Sequence, residues 1–160
     1  MELLTQLCKL TLSTGIYSYT GAANLESIAG ITSLQDLSIS FAKCYSDVIK
    51  HMTSLTNLTR LVVTGDDCGV VHFPMLTADF DWCGLQALQS LCIQKCSVEL
   101  GNGVASLLQL GHLKHISFEG STFEGNNAVE CLAALCYHFA RLHPDAKLVI
   151  QSRDILQYFT

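Results

Sequence analysis

Six stretches of this 160-residue chain can be laid over one another so that apolar side chains recur at the same unequal steps. They are LTQLCKLTLSTGIY from Leu4, ITSLQDLSISFAKC from Ile31, LTNLTRLVVTGDDC from Leu55, LQALQSLCIQKCSV from Leu85, LGHLKHISFEGSTF from Leu110 and LHPDAKLVIQSRDI from Leu142. In the clearest copy Leu88, Leu91, Ile93, Cys96 and Val98 follow one another at steps of three, two, three and two. Neither a helix nor a plainly alternating strand fits such steps. A short strand followed by a corner does, because alternate strand residues point inward and the first residue past the corner faces the interior again. At that last position the six segments carry Tyr17, Cys44, Cys68, Val98, Phe123 and Ile155, all apolar. Only the sixth departs elsewhere, with Asp145 in the second position.

Successive segments start 27, 24, 30, 25 and 32 residues apart. This spacing and the pattern L-x-x-L-x-L-x-x-N/C-x-L resemble the leucine-rich-repeat superfamily, in its irregular, intracellular type. The ninth motif position holds Gly15, Ala42, Asp66, Cys96, Ser121 and Arg153, so the fourth segment alone carries the expected Asn or Cys. The resemblance implies one α/β domain over residues 1–160, a solenoid of about six repeats. Its curved parallel sheet would lie on the concave side, with strands near 9–13, 36–40, 60–64, 90–94, 115–119 and 147–151, and helices or helical turns on the convex side. The return segments carry helical periodicity in Leu25, Ile28 and Ile31, in Val48, Ile49 and Met52, and in Leu100, Val104, Leu107 and Leu108. The strongest is NNAVECLAALCYHFARLHP, with Val129, Leu132, Leu135, Cys136 and Phe139 on one broad face and Pro144 after its end.

At 49% hydrophobic and 14% charged residues, the chain can bury a substantial core. Its net charge is -5, and nine Lys and Arg spread along it form no basic stripe, which argues against nucleic acid and anionic membranes as partners. The opening MELLTQLCKLTLS has no positive leader, apolar run or cleavage site, so a cytoplasmic location is expected. The first segment begins at Leu4 without a capping element before it. A fragment of a longer protein, packing against further repeats at its N-terminal end, is therefore an expectation.

Eight cysteines raise the question of a disulfide framework or a metal site. Cys44 and Cys68 hold equivalent corner positions and are expected to stack as small apolar fillers. Cys92 points to the opposite face from Cys96, and Cys131 and Cys136 lie about 140° apart on a helix, so neither pair is placed to share a metal. The connection TGDDCGVVHFPMLTADFDWCG collects Asp66, Asp67, His72, Asp79, Asp81 and Cys83, but in no recognised ligand spacing. Its aromatics Phe80 and Trp82 either bury themselves under the repeat or serve as a secondary contact for a partner. No metal and no cofactor is expected.

Nor is an enzyme. His115, Ser117 and Glu119 share one face of a strand, yet their side chains project in parallel instead of converging. No nucleophile-elbow pattern and no phosphate-cradling loop is present.

The resemblance points to the concave sheet as the working surface. Ser38, Arg60, Val62, Cys92, Gln94, His115, Ser117 and Glu119 are the expected contacts for a protein or peptide. The expected function is a protein-interaction module; intracellular relatives with irregular repeats look like the recognition part of ubiquitin-ligase receptors or the sensor part of immune receptors. The alternatives are a structural repeat block without a ligand of its own and a metal-dependent enzyme built on the Asp66 to Cys83 connection.

Overall fold

The computed structural model describes residues 6–13, 28–40, 51–65, 72–76, 82–101, 103–125 and 127–152. Wherever two apolar residues alternate with three outward ones, a five-residue strand forms: β1 Lys9–Ser13, β2 Asp36–Ser40, β3 Arg60–Thr64, β5 Ser90–Gln94, β7 His115–Glu119 and β9 Lys147–Gln151. These are the six ranges that the segment alignment predicts. They form one sheet in the order β1-β2-β3-β5-β7-β9, each pair parallel and in register over all five residues. The fold is α/β with a parallel sheet.

Register aligns the inward residues into two columns, Leu10-Leu37-Leu61-Leu91-Ile116-Leu148 and Leu12-Ile39-Val63-Ile93-Phe118-Ile150. In the four inner strands every one of these side chains is buried, worth about 1.5–3 kcal/mol apiece for a large aliphatic side chain. In β1 and β9 they are only half-buried.

The approach to each strand repeats as closely as the strand does. Ile31, Leu55, Leu85 and Leu110 accept amide bonds from Leu34, Leu58, Leu88 and Leu113, and themselves donate to the carbonyls of Ile28, Met52, Trp82 and Leu107. The carbonyls of Cys8, Gln35, Thr59 and Gln89 each accept two amides from the following segment, for example Gln35 and Asp36 on Cys8 at 2.8 and 3.0 Å. This satisfies backbone groups that the turns would otherwise bury unpaired.

The sixth segment is displaced by one residue. Its turn bond runs from the Ala146 amide to the His143 carbonyl, so His143 and Ala146, not Leu142 and Asp145, fill the first two positions. Leu142 is 56% exposed and His143 is 9% exposed. A buried ring needs a partner: His143 Nε2 lies 3.3 Å from the Leu108 carbonyl, and the imidazole leans on Phe139 with centroids 5.0 Å apart.

A second parallel sheet, which the sequence reading does not anticipate, joins β4 His72–Leu76, β6 Ser97–Leu100 and β8 Thr122–Glu124 in that order. Val98 and Leu100 alternate inward along β6, extending the single post-corner position into a strand. The chain reaches β6 and β8 through two-residue corners at Lys95-Cys96 and Gly120-Ser121, where Lys95 and Gly120 take left-handed φ values of 54° and 63°. Inside these corners Ser121 Oγ donates to the Ile93 carbonyl at 3.2 Å and accepts from the Cys96 amide at 3.3 Å. Serine thus bonds the corner backbone from the position that Cys96 holds in the preceding segment.

Among the described residues, α1 Gly103–Leu107 follows β6 and α2 Ala128–Leu142 follows β8. Leu100, expected at the start of the first, ends β6 instead. On α2 Leu135 and Phe139 are buried and Cys131 and Leu132 pack on the core, whereas Val129, expected on the same face, is 40% exposed. The apolar face is centred one residue round from Val129, on Ala128. Cys44 and Cys68 lie outside the described residues. Among the described residues no helix is long and apolar enough to cross a membrane.

Candidate interaction face

Strand alternation turns three residues of each main-sheet strand away from the core, and the common register sorts them into three columns. The first is Lys9-Asp36-Arg60-Ser90-His115-Lys147, the second Thr11-Ser38-Val62-Cys92-Ser117-Val149, and the third Ser13-Ser40-Thr64-Gln94-Glu119-Gln151. All eight expected contact residues belong to this one face.

Charge is organised by the first column. Asp36 lies between two cations in register, with Lys9 Nζ at 3.2 Å from Oδ2 and Arg60 Nη1 at 3.3 Å from both carboxylate oxygens. The group carries one net positive charge, and its exposure keeps each pair weak. Further along, His115 Nδ1 is 3.3 Å from Ser90 Oγ and 3.9 Å from Cys92 Sγ, and those two atoms are 3.9 Å from each other.

In the third column hydrogen bonds run across three strands. Thr64 Oγ1 donates to Gln94 Oε1 at 3.3 Å, and Gln94 Nε2 donates to Glu119 Oε2 at 3.0 Å. The other Glu119 oxygen accepts from Ser117 Oγ at 2.9 Å. Side chains held by one another in this way lose less rotamer freedom when a partner docks.

Two expected contacts need correction. Ser117 faces outward but is 0% exposed: Glu119 caps its hydroxyl, and its register neighbours Cys92 and Val149 flank so short a side chain. Its hydroxyl positions Glu119 instead of meeting a partner. Trp82 is also 0% exposed and cannot serve as a surface anchor. It begins a 3₁₀ turn, Trp82–Gly84, at the position that Met52 and Leu107 occupy in neighbouring segments, and so belongs to the core. Phe80, its proposed companion, lies outside the described residues, as do Asp66, Asp67, Asp79 and Asp81. Ser38, Val62, Cys92, Gln94 and His115 are half-buried, and Arg60 and Glu119 are exposed.

Asp36, Thr64 and Ser90, which strand alternation also puts on this face but which are not among the expected contacts, each tie one of those contacts in place. The signal was present for Asp36: in the aligned segments it falls between Lys9 and Arg60, and opposite charges in adjacent strands pair. Among the described residues no group of three or more His, Cys, Asp and Glu side chains is placed to hold a metal ion. No protein-family model matches the chain, and neither a curated protein nor a solved structure matches it.

Proposed function

We propose that this chain is a leucine-rich-repeat solenoid that serves as a protein-interaction module, docking a protein or peptide on the outward face of its main sheet. The observation that carries this reading is the hydrogen-bond network in which Thr64, Gln94 and Glu119 of the third column, with Ser117 of the second, fix one another across three strands. A solvated face without a partner has no need of such preorganisation, whereas a docking surface gains from it. The test is affinity capture from a native extract, followed by direct titration of the captured protein. The bait is the wild type or a Val62→Arg/Gln94→Arg variant, which alters two half-buried outward positions. Loss of both capture and titrated binding in a folded variant is expected. Undiminished binding would remove the face from consideration.

A second reading, a structural block that packs against further repeats, is favoured by the half-buried state of Leu10, Leu12, Leu148 and Ile150. Among the described residues the outer edges of β1 and β9 have no strand partner. Concentration-dependent association in analytical ultracentrifugation, abolished by Leu10→Lys, would support it.

A further inference from the structure

We infer that Cys92 is a thiol-modification site, at which a small disulfide of the glutathione class exchanges onto the protein with His115 accepting the thiol proton. The inference stands independently of whether a partner docks on the sheet. Three observations lead to it.

First, register places the groups. Ser90 pairs with His115 and Cys92 with Ser117, so the imidazole meets Ser90 directly across the strands and Cys92 on the diagonal. Its Nδ1 is 3.9 Å from Cys92 Sγ, the right partner for a nucleophile that reacts only as its thiolate.

Second, Cys8, Cys96 and Cys136 are placed differently. Cys8 Sγ donates to the Gln6 carbonyl at 3.4 Å and Cys96 Sγ to the Gln94 carbonyl at 3.2 Å. Burial pushes the Cys136 thiol up, away from the thiolate.

Third, access is available. Cys92 is half-buried in the middle of an outward face, where Ser38 and Val62 precede it in the column. A thiol serving as a core filler would face inward, as Cys96 does.

The exchange balances without an added oxidant. The Cys92 proton passes to His115 Nδ1, and the thiolate attacks one sulfur of the small disulfide. The Cys92 S–S bond forms as the original S–S bond breaks, and the departing thiolate takes the proton held by His115. The products are a protein mixed disulfide and one equivalent of small thiol. The adduct would stand on the second column, among the residues proposed to meet a partner.

The test uses the full chain with glutathione disulfide at neutral pH, quenched at intervals and mapped by peptide mass. Cys92 should be modified several-fold faster than the more exposed Cys8 and Cys83. His115→Gln should slow Cys92 by about tenfold, because without a base an ordinary thiol is only a few per cent thiolate at neutral pH, and leave Cys8 unchanged. In denaturant the wild-type difference between Cys92 and Cys8 should vanish, a control that holds even if the variant is poorly folded. Equal native rates at Cys8 and Cys92, an unchanged Cys92 rate in folded His115→Gln, or a difference that survives unfolding would each overturn the assignment.

Discussion

Gly65 lies against the backbone of Lys95 so closely that a Cβ at Gly65 would stand 2.2 Å from the Lys95 carbonyl oxygen. The Gly65 amide donates to the Gln94 carbonyl at 2.8 Å, so the end of β3 is joined to the start of the Lys95-Cys96 corner at this point. Gly65→Ala should therefore cost about 1–3 kcal/mol, the usual range for overpacking, because the obstructing atoms are backbone. Gly111, which has nothing within 4 Å of its Cβ position, is the control. Urea unfolding of both alanine variants checks the contrast; equal losses would contradict it.

Trp82 should behave as a core residue. Trp82→Ala should destabilise the chain by about 3–5 kcal/mol, the range for removing a large buried aromatic. As the single tryptophan of the chain, its native fluorescence should resist acrylamide and become accessible on unfolding. A mild stability loss with strong native quenching would return it to the surface.

Ser121→Ala removes the hydroxyl that joins the Ile93 carbonyl to the Cys96 amide inside a buried corner. Leaving those groups short of a partner should cost about 1–3 kcal/mol. Faster amide exchange at Cys96, with little change at the distant Leu37, would place the loss at the corner.

The Asp36–Arg60 pair should contribute little to stability. A double-mutant cycle is expected to give about 0.2–1 kcal/mol, falling as salt is added. A larger, salt-independent coupling would mean that the pair is more thoroughly desolvated than its Arg60 side chain, at 47% exposure, allows.

Cys136 makes stability depend on alkaline pH. Burial raises its folded value above the ordinary thiol range, so in the window between the two values the native state keeps a proton that the unfolded chain has released. Native proteins lose stability as pH rises through such a window. Between about pH 8 and about pH 10, the urea midpoint should fall further in wild type than in Cys136→Ser, which has no thiol to titrate. Equal falls would remove Cys136 as a contributor.

The six main strands could be read from spacing because a strand with one buried face obeys a period of two that few other backbones share. Leu91 and Ile93 had to face inward, and Cys92 had to face outward, whatever surrounded them. The outward columns followed from the same alternation, so the candidate face was legible as a list of residues. Its working arrangement was not. Whether Ser117 is open depends on how Glu119 folds over it and on the register neighbours Cys92 and Val149, 25 and 32 positions away, which spacing cannot weigh.

The same limit applies to the rest. Trp82 lies before the first aligned residue of its segment, and only the turn bond from Leu85 reveals that it shares a position with Met52. The one-residue displacement that exchanges Leu142 for His143 arises where α2 ends and meets the turn, a competition between helix and turn bonds that local apolarity misjudges. β6 and β8 depend on β4 and on each other for their hydrogen bonds, since a strand is defined by a partner and not by its own residues. Local periodicity specifies which way each side chain points; the stacking of distant segments decides which of those side chains are covered, bonded or left for a partner.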